Sequence, residues 1–205
     1  WAYADQSMFN PKLHNLMSLR KQIIKRPVIT TVEVLVKPVS SKNDMFFTGF
    51  VHRPYPPIYL ELSRNAQFNS ATVIRGTEGG IIPSLRQTGK VHFYHGTGEQ
   101  DDYYDITPED LGIVQSSRAV DIPEEITRKN TKDKIESKVD AVDIAKETIK
   151  SGISALSGND GAMLSCIQLG AAIILQRATG NDLGNCSKEV LRVLKSGAAL
   201  KRMKR

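Results

Sequence analysis

Residues 46–80, FFTGFVHRPYPPIYLELSRNAQFNSATVIRGTEGG, decide the fold. The stretch opens on an apolar run, FFTGFVH at 46–52, and closes on a denser one, SATVIRG at 70–76, followed by Gly79 and Gly80. Short β-branched and aromatic runs read as strands, and the second has the dense apolar character of a buried one. Between them Pro56-Pro57 opens a short helix through IYLELSRNAQF. Parallel neighbours need a crossover of a dozen or more residues, and a strand, a helix and a second strand about 20 residues on supply it. The expected fold class is α/β, a mostly parallel sheet with flanking helices.

Upstream, Asn10-Pro11 followed by KLHNLMSLRKQII reads as a helix with Leu13, Leu16, Met17 and Ile24 on one face, ended by Pro27. Residues 28–38, VITTVEVLVKP, fit a strand by β-branched content and a buried helix equally well. Downstream, KVHFYH at 90–95 and YYDIT at 103–107 read as a hairpin or edge pair around GTGEQDD. The last third is helical. Ile135, Val139, Val142, Ile149, Ile153 and Leu156 fall at helical spacing, and residues 161–177, GAMLSCIQLGAAIILQR, predict a helix buried on most sides. Ser187 is the expected N-cap of KEVLRVLKSGAALKRMK. Residues 1–118 should carry the sheet part of one large domain, and residues 119–205 the helices that pack on it.

The 205 residues are 40% apolar and 24% charged, which excludes a disordered or fibrous chain. No apolar run approaching a membrane span stands out, and no membrane partner is expected. Cys166 and Cys186 are too few for a disulfide scaffold or a four-ligand zinc site. No secretory signal opens the chain, so a cytoplasmic setting is expected. Trp1 in place of Met leads to the expectation of a processed product or a piece of something longer. The net charge of +6 is unevenly spread: residues 1–53 carry +5, residues 101–150 carry −5 and residues 151–205 carry +5. Basic ends of this kind attract polyanions.

Several segments taken in order, NPKLHNLMSLRKQIIKR, VIRGTEGG, DITPEDLGI, SGNDGAMLSCIQLGAAIILQ and VLRVLKSGAALKRM, resemble the family 3 glycosyltransferases, the anthranilate phosphoribosyltransferase family of tryptophan biosynthesis. The resemblance implies a phosphoribosyltransferase-like large α/β domain, without the N-terminal helical domain through which family members dimerise. A missing N-terminal segment or a homo-dimer partner is therefore expected. It also implies that the family's Gly-Thr-Gly-Gly-Asp pyrophosphate loop would lie upstream of Trp1. GTGEQ at 96–100 lacks the third glycine and the aspartate and reads as a plain turn.

Carried over residue by residue, the family's catalytic pattern is broken. Its His-Pro stands here as Asn10-Pro11, and its asparagine as Thr30. Arg20 matches the arginine that contacts the aromatic acid, so it is a candidate aromatic-ligand contact. Where the family has the Asp-Glu pair that binds Mg²⁺, this chain has Ile81-Ile82 after Gly76-Thr77-Glu78-Gly79-Gly80. Aliphatic side chains cannot ligate a hard cation, so no cofactor and no catalytic residue are expected, and Mg²⁺ enters only if the chain is a phosphoribosyltransferase fragment. The Gly-Thr-Glu-Gly form, the YADQ opening and the IIKRP run resemble a divergent branch of the family that keeps the fold and binds nucleic acid through a basic groove.

Arg20, Lys21, Lys25 and Arg26 are the candidate nucleic-acid-binding cluster, since closely spaced cations on a helix can neutralise several phosphates. Lys195, Lys201, Arg202, Lys204 and Arg205 form a second patch that equally suits a solvated helix end. Tyr55, Tyr59, Phe93, Tyr94, Tyr103 and Tyr104 are the aromatics that could stack on bases, though most sit at strand positions, which favour packing. His14, His52, His92 and His95 show no metal-ligand spacing, and Cys166 reads as a buried small hydrophobe. The expected partner is single-stranded nucleic acid, held mainly through its backbone.

Overall fold

The computed structural model describes residues 3–23, 27–96, 98–127 and 141–204. Short helices α1 (Gln6–Phe9), α2 (Pro11–His14), α3 (Met17–Lys21) and α4 (Ile29–Val32) come first. The sheet region follows as β1 (Met45–Phe50), α5 (Tyr55–Asn65), β2 (Ser70–Arg75), β3 (Gly89–Tyr94) and β4 (Asp102–Ile106). Then come α6 (Glu124–Thr127), α7 (Ala141–Leu156), α8 (Ala162–Thr179), α9 (Leu183–Lys195) and α10 (Ala198–Met203).

The two apolar runs pair in parallel, Phe46 opposite Ala71 and Phe50 opposite Arg75, with α5 as the crossover. Strand order is β1-β2-β3-β4, and β2–β3 and β3–β4 are antiparallel. The α/β class with flanking helices stands, but the sheet is mixed rather than mostly parallel. Residues 95–101 between β3 and β4 are too few for a crossover, so the chain must return antiparallel.

Successive strand residues point to opposite faces, and the continuous apolar run of β2 fills both. Ala71 and Val73 join Phe46, Phe50, Tyr94, Tyr59 and Leu60 under α5. Ile74 joins Val91, Ile106, Leu85 and the α8 residues Cys166, Leu169 and Ile173 on the other face. A third cluster, Ala155, Leu164 and Leu194, knits α7, α8 and α9 together. Polar atoms inside these layers are paired. The Tyr94 hydroxyl donates to the Phe68 carbonyl at 2.9 Å and accepts from Ser63 Oγ, and Gln168 Nε2 donates to Ser187 Oγ at 2.9 Å.

Three local expectations are corrected, and the open reading of residues 28–38 is decided for a helix. The helix expected from Asn10 breaks into α2 and α3, and of its apolar face Leu16 and Met17 are 38% and 42% exposed, while Ile24 lies outside the described residues. Residues 29–35 are helical, α4 running into a tight turn in which Leu35 alone is buried. Ser187 is not a cap: Asp182 Oδ1 accepts from the Asn185 amide at 2.9 Å and starts α9 a turn earlier, leaving Ser187 buried. Gly197, at φ +68°, then separates α9 from α10, because left-handed backbone ends a helix. Among the described residues, α8 is long and apolar enough to cross a membrane by length and composition, at 18 residues and mean hydropathy 1.3, the run that the sequence reads as a buried helix with no membrane span. Ile135 and Val139 lie outside the described residues.

Candidate nucleic-acid interface

The loop after β2 is built by backbone lying on backbone. The Thr77 amide donates to the Ile82 carbonyl at 3.0 Å, the Gly80 amide to the Thr77 carbonyl at 3.0 Å, and the turn folds over β1. A Cβ on Gly49 would stand 2.2 Å from the Gly80 carbonyl oxygen, and one on Gly76 only 1.4 Å from it. These glycines are explained by close approach alone. At the place of the family's acidic pair, Ile81 is exposed, and Ile82 packs into the second core against Gly170, where an added Cβ would stand 3.3 Å from Ile82 Cγ1. Such side chains do not fit Mg²⁺, and among the described residues no three His, Cys, Asp or Glu gather to hold a metal.

Arg20 Nη1 and Nη2 grip Glu33 Oε2 and Oε1 at 2.6 and 2.7 Å, a fork-to-carboxylate pair tying α3 to the turn after α4. Its charge is offset on the spot. Lys21 closes α3, and Lys25 and Arg26 lie outside the described residues. In the second patch Lys195 Nζ holds Asp160 at 2.6 Å and the Gly158 carbonyl at 3.0 Å, so it locks the end of α9. Lys201, Arg202 and Lys204 are exposed on and beyond α10, and Arg205 lies outside the described residues.

Three arginines missed by the sequence reading lie at or near the loop that follows the parallel strands. Arg75 ends β2 opposite Phe50, Arg53 follows Phe50 closely in the chain, and Thr77 Oγ1 reaches the Arg118 carbonyl at 3.5 Å. All three are exposed, and among the described residues none of their guanidinium groups has a carboxylate or hydrogen-bond partner. The crevice outside the carboxyl ends of parallel strands is where open α/β sheets bind ligands. For two of them the signal was available: VIR ends an apolar strand on Arg75, and Arg53 follows closely on another.

The aromatics divide between buried and exposed positions. Tyr59 and Tyr94 are buried, and Tyr104 donates to Gln176 Oε1 at 2.6 Å, burial pushing its hydroxyl up to about 12. Phe93 lies under the Arg177 guanidinium at 3.6 Å. Tyr103 is 57% exposed and stacks beside His92, which also meets Phe50 edge-on. Burial, then the nearby Lys90 charge, lowers the His92 pKa below the ordinary imidazole value. GTGEQ is a turn between β3 and β4: the Glu99 amide donates to the Gly96 carbonyl at 3.0 Å, and Arg64 braces the Glu99 carbonyl at 3.0 Å. Cys166 is buried, which raises its thiol pKa.

A scan of protein-family profiles finds no match. An uncharacterized protein of Aquifex aeolicus (strain VF5) is 34% identical over 82 residues, 40% of this chain and 26% of that one. The solved structures with this fold include anthranilate phosphoribosyltransferase from Saccharomyces cerevisiae in complex with 4-fluoroanthranilate, at TM-score 0.68 and 14% identity. A serine-to-alanine variant of that enzyme with Mg bound matches at TM-score 0.67 and 14% identity. In both, 94% of this chain aligns with 50% of the enzyme, so the chain spans about half the length of the structures it matches. The fold is anthranilate phosphoribosyltransferase-like.

Proposed function

We propose that this chain binds single-stranded nucleic acid through its phosphates, without sequence preference, and is silent in anthranilate transfer. The observation that carries the reading is a set of exposed arginines with no partner among the described residues: Arg75 at the end of β2, Arg53 just past β1, and Arg118, whose carbonyl meets Thr77. Each can donate a fork of hydrogen bonds to a phosphate. Lys21, Lys25 and Arg26 belong to the same proposal as a second patch. Arg20 belongs to it too, whether for phosphate or for an aromatic acid, with Glu33 as its competitor. The silence in transfer rests on Ile82, whose packing against Gly170 leaves no carboxylate there to hold the Mg²⁺ that would neutralise a pyrophosphate leaving group.

The test is fluorescence anisotropy with labelled oligonucleotides of unrelated sequence at several salt concentrations. Replacing Arg53 and Arg75 with Ala should weaken all sequences alike and flatten the salt dependence, by about 0.7 per lost contact in log–log slope. The Lys21→Ala, Lys25→Ala pair should act in the same direction. Sequence-selective binding, or binding indifferent to both pairs, would refute the assignment. Mixing the chain with Mg²⁺, phosphoribosyl pyrophosphate and anthranilate should consume none of the aromatic acid, and turnover above background would restore the transferase reading.

A further inference from the structure

We infer that Asp160-Gly161 is a site of spontaneous isoaspartate formation, restrained by Lys195. The chemistry needs an aspartate followed by an amide that can reach its carboxyl group, and glycine shields that amide least because it has no side chain. Asp160-Gly161 is the only Asp-Gly step in the 205 residues, and Asn-Gly does not occur. The step stands in the loop between α7 and α8, where the Asp160 side chain keeps 88% of its exposure. Gly161 sits at φ +149°, backbone that other residues rarely adopt, and a Cβ there would meet nothing within 4 Å. Its amide donates no hydrogen bond among the described residues, so no bond has to break before that nitrogen attacks.

The step balances with water alone. The Gly161 nitrogen bonds to Cγ of the neutral Asp160 carboxyl, its proton joins the departing hydroxyl, and one water leaves a five-membered succinimide. Water then adds back at either ring carbonyl. Opening at Cγ restores aspartate. Opening at the main-chain carbonyl routes the backbone through Cβ and Cγ and leaves a free α-carboxylate. Lys195 opposes ring closure from the end of α9, where its Nζ donates to Asp160 Oδ1 at 2.6 Å and to the Gly158 carbonyl at 3.0 Å. That tie fixes the carboxyl to a second helix and resists the rotation that brings Cγ onto the Gly161 nitrogen. The isomer would carry an extra backbone carbon directly before α8, where the Ser165 amide donates to the Gly161 carbonyl at 3.1 Å. The change would then reach the helix that supplies Leu164, Leu169 and Ile173 to two cores.

The test ages the purified chain in mildly acidic buffer at physiological temperature and maps its peptides by mass and retention. Methyl transfer from S-adenosylmethionine by an isoaspartyl carboxyl methyltransferase is the second readout. The peptide carrying residues 160–161 should gain an isomer of equal mass that accepts the methyl group, preceded by a form lighter by one water. Peptides carrying Asp44 and Asp182 should not. Lys195→Ala should speed the isomer's appearance about fivefold, the weight of one exposed ion pair expressed as a rate. Molar salt, which screens the pair, should speed the wild-type chain in the same direction and replaces that variant should it fold poorly. Asp160→Glu, whose ring would have six members, should stay unmodified at this position. The proposal is overturned if Asp160 stays intact while a free peptide of residues 157–162 isomerises, if neither Lys195→Ala nor salt changes the rate, or if Asp160→Glu takes up the methyl label equally.

Discussion

Gly76→Ala isolates the contact that builds the loop at the proposed interface. Gly76 sits at φ −86° and ψ 161°, where any residue is at ease, so alanine meets no backbone strain there. By restricting the unfolded chain it would even gain about 0.4–1 kcal/mol. Its Cβ, however, would lie 1.4 Å from the Gly80 oxygen, where ordinary contact begins at 3.4 Å, so the loop must retreat by roughly 2 Å. That retreat breaks the turn bonds from the Thr77, Gly79 and Gly80 amides, at 3.0, 3.3 and 3.0 Å. At about 1 kcal/mol each, less the entropic gain, the net loss is about 2–3 kcal/mol. Urea unfolding followed by circular dichroism reads this as a lower midpoint with an unchanged slope. Gly98→Ala is the control, because nothing lies within 4 Å of its added Cβ, and its effect should stay within about 0.5 kcal/mol. A Gly76→Ala loss no larger than that of the control would refute the backbone-on-backbone reading of the glycine loop.

Other outcomes follow from the same geometry. A double-mutant cycle on Arg20 and Glu33, whose side chains keep 23% and 17% of their exposure, should return a coupling of about 1 kcal/mol. Tyr94→Phe should cost about 1–2 kcal/mol, because it leaves the buried Phe68 carbonyl without its donor. The His92 imidazole is held neutral by the fold, so its contribution is complete above the unfolded value of 6.5 and is lost as pH falls below it. Wild-type thermal midpoints should therefore drop between about pH 7 and pH 5 more steeply than those of His92→Gln.

How far the sequence could be read depended on how local the physics was. The parallel unit was legible because Val73 and Ile74 face opposite cores, which forces a run without polar alternation. The β3–β4 hairpin was legible from its short connection. The sheet's mixed sense was missed because the crossover pattern was extended to strands that the hairpin already contradicted. The N-terminal helix was overextended because its periodicity says nothing about whether a partner surface exists, and Leu16 and Met17 of its apolar face stay exposed. Ser187 has the right side chain for a cap, yet a tertiary bond from Gln168 claims it. Arg20 looked free because Glu33 is distant in the chain, and Arg53 and Arg75 were passed over because each stands alone in sequence and gains neighbours only through strand register.

Photo-crosslinking tests the central claim most directly. Oligothymidylate carrying photoreactive bases would be irradiated with the full chain at low salt, and the attached peptides identified by mass. Crosslinks concentrated in residues 51–55, 75–80 and around Arg118, and removed by excess unlabelled oligonucleotide of any sequence, are the expected result. Crosslinks confined to residues 195–204, or none at low salt, would contradict the account, because the unpaired arginines at and near the loop after the parallel strands would then meet no nucleic acid.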